Sequence, residues 1–97
     1  MQGGDWKFMF HAVEQNDVDS VEYYLSQGVD PDYQHPEYLE SALVESIRLN
    51  HLDIAKMLLE HGADPLIKEV WGGATPLSVA KSQKNKAAKE LIQSYIK

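Results

Sequence analysis

The sequence predicts an all-α solenoid of three helix-turn-helix repeats joined by short extended finger loops. Three observations predict it. Gly28-Val29-Asp30-Pro31 and Gly62-Ala63-Asp64-Pro65 lie 34 residues apart, a period typical of stacked structural units. The same slide pairs Asn16 with Asn50, Asp19 with Asp53 and Leu25 with Leu59, and it sets Ser41-Ala42-Leu43 on Thr75-Pro76-Leu77. Within each unit the apolar residues recur at helical spacing in two short runs. Only six of 25 positions are identical between residues 7–31 and 41–65, so the repeat lies in the type of residue at each place.

The first unit opens with a helix lined by Met9, Ala12 and Val13. Asn16 breaks it, because asparagine tolerates the left-handed backbone that a sharp turn needs. A second helix follows, lined by Val18, Val21, Tyr24 and Leu25, and Gly28 stops it. In the second unit Ser41 is a helix-capping hydroxyl, Leu43, Ser46 and Ile47 face inward, and Asn50 breaks the helix. Leu52, Ile54, Ala55, Leu58 and Leu59 form the inward face of the next helix, with Asp53, Lys56 and Glu60 outward. Gly62 ends it and Pro65 prevents its resumption. In the third unit Thr75-Pro76 supplies a cap followed by proline at the first helical position. Leu77, Ala80, Ala88 and Ile92 give its inward face. Pro31–Glu40 and Pro65–Ala74 read as the fingers between units, turned by Pro36 and by Gly72-Gly73.

Leu52 to Asp64, reading LDIAKMLLEHGAD, and Gly73-Ala74-Thr75-Pro76-Leu77 carry a specific resemblance: the chain is similar to the ankyrin repeat family over about residues 5–96. The resemblance implies one domain, with repeat 1 over about 5–37, repeat 2 over about 38–71 and repeat 3 over about 72–97. There are departures. The family's histidine after Thr-Pro-Leu is replaced by Phe10, Val44 and Ser78. Lys7-Phe8 stand in place of Thr-Pro, and Lys84 stands where the family prefers glycine.

A stacked unit must bury its apolar face on a neighbour, and a terminal one needs a polar outer face. Ile47, Ala55 and Leu59 are expected to face the next repeat, as are Val13, Val21 and Leu25. The matching residues of the third unit are Lys81, Lys89 and Gln93, so the stack is expected to be capped there. At the other end His11, Glu14 and Ser20 are expected to face water, and Trp6 with Phe8 to cover the open side of the first repeat.

The net charge of −6 opposes a nucleic-acid-binding role, which needs a basic patch. The charge is uneven: residues 1–48 hold ten acids and two bases, residues 49–97 five acids and seven bases. No run approaches the roughly 20 apolar residues of a membrane span. The chain has no cysteine, which excludes disulfides, thiolate catalysis and cysteine-bound zinc. His11, His35, His51 and His61 include no pair three or four apart on one helix face, so no metal site is expected. Asp30 and Asp64 suit the tight turns they occupy, and the remaining acids are expected on exposed helical faces. No Gly-x-Ser-x-Gly elbow and no phosphate-binding glycine loop is present. Neither a catalytic residue nor a cofactor is expected.

What remains is a surface. Tyr33, Tyr38 and Trp71 fall in the fingers, and exposed tyrosine and tryptophan are the residues that dominate binding hot spots. The resemblance implies a partner protein docked on the concave side, formed by fingers and first-helix edges. Position by position, that surface takes in His35, Tyr38, Glu40, Ala42, Asn50, His51, Val70, Trp71 and Pro76, with Phe8, Asn16 and Asp17 toward the N-terminus. The expected function is a protein–protein interaction module, an adaptor or scaffold. It is expected in the cytoplasm, as a monomer rather than a homodimer. The alternative is an inhibitor or immunity-like protein that blocks a partner's active site through the acidic N-terminal half.

Overall fold

A computed structural model describes the backbone of residues 2–96 and the side chains of residues 5–96. Six helices follow one another: α1 (Gln2–Glu14), α2 (Val18–Ser26), α3 (Ala42–Arg48), α4 (Leu52–Glu60), α5 (Pro76–Ser82) and α6 (Lys86–Gln93). Among the described residues there is no strand. The helices pack as antiparallel pairs, α1 on α2, α3 on α4 and α5 on α6. First helices then stack on first helices, α1 on α3 and α3 on α5, and α2 stacks on α4.

The period of 34 is written into the backbone. Asn16, Asn50 and Lys84 each turn left-handed between the two helices of a pair, with φ of 58°, 61° and 55°. Each turn closes the same way: the N–H groups of Asp17, His51 and Asn85 donate to the carbonyls of Ala12, Ser46 and Ala80 at 2.8–2.9 Å. Gly28 and Gly62 end α2 and α4 at φ 95°, a value that L side chains rarely adopt. Ser41 caps α3 by accepting from the Val44 N–H at 3.2 Å. In the third unit Ser78 stands where the second has Val44, and its hydroxyl accepts the Thr75 N–H at 2.9 Å while Thr75 caps the Ser78 N–H at 3.1 Å. A reciprocal capping box results.

The core runs continuously through the stack: Met9, Val13, Val21, Leu43, Ile47, Ile54, Leu58, Ala80 and Ile92 are fully buried. Each large aliphatic among them contributes about 1.5–3 kcal/mol relative to exposure. Polar bonds register one unit on the next. His51 Nδ1 lies 2.8 Å from the Val13 carbonyl, which can only accept, so this nitrogen carries the proton. Asn85 Nδ2 donates to Asn50 Oδ1, and Gln83 Nε2 to the Arg48 carbonyl, each at 2.8 Å.

Val13, Val21, Leu25, Ile47, Ala55 and Leu59 are buried, whereas Lys81 and Gln93 are exposed and Lys89 is half-exposed. The outer face of the third unit is therefore polar. The first unit departs from the expectation. Lacking a capping residue at Lys7-Phe8, α1 runs back to Gln2. Trp6 is buried against the first finger, and Phe8 is 62% exposed beside Tyr24, so the two do not act together as a lid. The assignment of all remaining acids to exposed faces also fails, because Glu45 and Glu69 are buried.

Candidate docking surface

The second finger, residues 65–74, is shaped by its own backbone. Asp64 Oδ1 accepts the Leu66 N–H at 2.9 Å, the short-range bond that suits aspartate to turns. Asp30 does the same for Asp32 in the first finger, also at 2.9 Å. Farther on, Glu69 N–H donates to the Ala74 carbonyl at 2.8 Å, and Gly72 and Gly73, both at positive φ, reverse the chain between them. The reversal sends Ile67 into the core and leaves Leu66, Val70 and Trp71 exposed by 61%, 71% and 78%. Three large apolar side chains on one loop make a patch of the kind that marks association sites.

The first finger presents rings of a different character. Trp6 is their hub: His35 stacks on it at 5.9 Å and Tyr33 meets it edge-on at 6.1 Å. Tyr38 lies tilted at 5.8 Å from Trp6, and Phe10 stacks on Trp6 at 4.7 Å. Tyr33 and His35 are thus half-buried, while Tyr38 keeps 44% of its surface exposed with the Lys7 ammonium over its ring at 5.7 Å. His35 Nδ1 accepts the Glu37 N–H at 3.1 Å, which fixes the imidazole within the cluster.

Between the fingers and α3 lies an ionic knot. Arg48 pairs with Glu45, with Glu69 at 3.1 Å and, more loosely, with Glu40 at 3.9 Å. Glu69 also accepts the Ser41 N–H at 2.9 Å. The reason is visible in the sequence. Val44 has no hydroxyl to return the capping bond that Ser78 makes, so the carboxylate of the following finger takes the Ser41 N–H. One guanidinium faces three carboxylates, leaving an excess of negative charge. Burial, then the neighbouring charges of Glu45 and Glu69, hold the Glu40 carboxyl above its ordinary pKa, with Arg48 opposing them. Asp32 is also shifted upward, mainly by burial, against the lowering effect of the Asp64 N–H that it accepts at 2.8 Å. A raised acid among other carboxylates was not expected; here Arg48 fills the space between them.

The residues expected to form one surface fall into separate groups. Tyr33, His35 and Tyr38 surround Trp6; Val70 and Trp71 crown the second finger; Glu40 edges the ionic knot. Asn50 and His51 stand at the opposite end of α3 from the fingers, about 10 Å away at the helical rise per residue. There they line a hollow of about 250 Å³ with Asn16, Leu52 and Asp53. Sequence reasoning missed Glu69, Arg48 and the hub role of Trp6. The signal for Glu69 was Val44 at a position that should bond back to its cap; Trp6 had no such signal. Among the described residues no three His, Asp or Glu side chains are grouped to hold a metal ion, and no helix is long and apolar enough to cross a membrane.

A family model described as "Ankyrin repeats (3 copies)" matches residues 8–97. The chain is 34% identical over 76 residues to the human 2-5A-dependent ribonuclease, covering 78% of this chain and 10% of that protein. It is 35% identical over 89 residues to the potassium channel GORK of Arabidopsis thaliana, covering 89% of this chain and 10% of the channel. It is 36% identical over 55 residues to a putative ankyrin repeat protein of Acanthamoeba polyphaga mimivirus, covering 57% of this chain and 33% of the viral protein. The chain thus spans about a tenth of the first two relatives and a third of the last. With three tandem helix pairs, left-handed turns at a constant interval and a family match over nearly its whole length, the chain belongs to the ankyrin repeat family.

Proposed function

We propose that the chain is an adaptor or scaffold that binds one partner protein through its finger loops and concave face. Ankyrin repeats are generally protein–protein interaction modules, and the fold is typically non-catalytic. The observation that carries the reading is Trp71, 78% exposed between exposed Val70 and two glycines. A tryptophan left in water has no part in the core, whereas buried in a partner it would rank among the strongest anchors. Tyr33, His35, Tyr38 and Glu40 extend the surface along the first finger, and Asn50 and His51 form its far edge. The reading takes repeats over about 5–37, 38–71 and 72–97 as one cytoplasmic, monomeric domain.

The test is to recover partners with the native chain, then measure each affinity with Trp71→Ala and with Tyr38→Ala. Loss of roughly 2 kcal/mol or more for Trp71→Ala, about thirtyfold in Kd, is expected with helical content unchanged. Equal affinity of native and Trp71→Ala protein would remove the finger tip from the case.

A second reading is favoured by the charge excess around Arg48 and the ten acids of residues 1–48. On that reading the acidic half blocks a basic active site, as an inhibitor does. Affinity would then fall steeply with salt and with neutralisation of Asp17, Glu40 and Glu45. A complex indifferent to salt would dismiss it.

A further inference from the structure

We propose that the hollow on the outer face of the third unit, ringed by Lys81, Lys84, Lys86 and Lys89, binds a compact ligand carrying several phosphate groups. These four side chains line a depression of about 390 Å³. None of them forms an ion pair among the described residues, and Glu90, one turn along α6 from Lys86, does not reach it.

A polar cap alone does not require this arrangement, which is unfavourable in three independent ways. First, four lysines line one hollow, and no ion pair offsets their charge among the described residues. Second, Lys84, Lys86 and Lys89 flank the start of α6, where the helix dipole is positive and acidic residues are favoured, whereas Lys81 stands in the last turn of α5, where a base is favoured. α2 and α4 obey that rule with Asp19 and Asp53 in their first turns; α6 has no acid there, and Ala87 takes the corresponding place. The N–H groups of Lys86 and Ala87 donate to no acceptor among the described residues, while Asn85 serves only the Ala88 N–H. Third, Lys84 occupies the left-handed position held by asparagine in the other two units. A lysine there is strained, whereas asparagine or glycine would not be.

A bound polyanion resolves the charge terms together. Lysine ammonium groups and free amides at a helix start are standard phosphate partners, and a small, dense anion can engage all four lysines at once. The chain's net charge of −6 works against a long polyanion that would run past the acidic first half. The phosphate groups can belong to a free polyphosphorylated molecule or to a lipid headgroup, and the experiment separates the two.

The probe is inorganic tripolyphosphate, titrated into the full chain by calorimetry and by amide chemical shifts. Saturable one-to-one binding is expected, with the largest shifts at Lys86 and Ala87. Lys84→Asn with Lys89→Gln should weaken it at least about tenfold. Lys84→Asn relieves backbone strain, so the variant should melt no lower than the native chain, which separates lost binding from lost folding. Lys56→Gln, on the exposed side of α4, should bind as the native chain does. Vesicles containing a phosphorylated inositol lipid form the second arm. Binding to them as well as to tripolyphosphate would support the proposal with a headgroup as source, and binding to tripolyphosphate alone would support it with a free ligand. Affinity unchanged by the double substitution would overturn it, as would binding of poly-glutamate without binding of tripolyphosphate.

Discussion

Glu69 ties the second finger to the start of α3, and replacing it by alanine should be the costliest single change outside the apolar core. Its side chain is 5% exposed and accepts two hydrogen bonds, from the Ser41 N–H at 2.9 Å and from Arg48 at 3.1 Å. A hydrogen bond to a charged group contributes about 1.5–3 kcal/mol, and a buried donor left without a partner costs about 1–3 kcal/mol. The two effects overlap in one network, so the expected loss is about 3 kcal/mol rather than their full sum. Ser41 is wholly buried, and Val44 has no hydroxyl to replace the lost acceptor. Glu69→Gln keeps an oxygen for the Ser41 N–H while giving up the charge, and should lose about 1 kcal/mol. Urea unfolding at pH 7, followed by circular dichroism, measures both, with Glu37→Ala as the control because the Glu37 side chain is 69% exposed. A Glu69→Ala midpoint matching that of Glu37→Ala, at equal m-value, would refute the claim that the carboxylate satisfies the buried amide.

Three further outcomes follow from the same geometry. Because the Glu40 pKa is raised on folding, the folded chain binds the proton more readily than the unfolded one, and stability falls as pH rises from the ordinary carboxyl value through the folded one. Glu40→Gln should therefore raise the urea midpoint at pH 7 and leave it unchanged at a pH below both values; a deficit at pH 7 would contradict the cause assigned to the shift. Gly62→Ala should cost about 1–2 kcal/mol from its backbone alone, because open space surrounds the added methyl at φ +95°, whereas Lys84→Asn should gain about 0.5–1 kcal/mol, both read from thermal midpoints. Trp6→Ala should cost about 3–5 kcal/mol and Phe8→Ala within about 0.5 kcal/mol, reflecting 0% and 62% exposure; similar losses for the two would show that Phe8 packs as well.

The fold was legible because its punctuation is local. Asn16, Asn50, Gly28 and Gly62 each impose a backbone conformation through their own chemistry, so a single chain read at one spacing reveals the units. The exposure of Trp71 was not settled by such signals, since a finger ring can instead pack on its surroundings, as Tyr33 does on Trp6. The ionic knot was not, because it depends on a contact between Ser41 and Glu69 across 28 residues that no helical periodicity encodes. Trp6 escaped for a related reason: four residues of the first finger and α1 converge on it, and only the path of the finger brings them together. Of the residues expected on the surface, Ala42 and Pro76 are instead fully buried beneath the finger bases, and the division of the others into ring cluster, apolar crown and acidic edge emerged only in three dimensions.

The two fingers are also laced to each other. Gln34 donates from Nε2 to the Lys68 carbonyl at 3.0 Å and accepts the Val70 N–H at 2.9 Å, and Asp32 accepts the Asp64 N–H at 2.8 Å. One amide side chain thus does the work of a missing strand, gripping the neighbouring loop on both sides of Glu69. Immobilising Trp71 would consequently quiet the tyrosine-bearing loop as well, so that the ordering entropy of both loops is charged largely once. Slowed hydrogen exchange at Val70 should be accompanied by slowed exchange in the first finger, and cutting the lace at Gln34 should let the two relax independently.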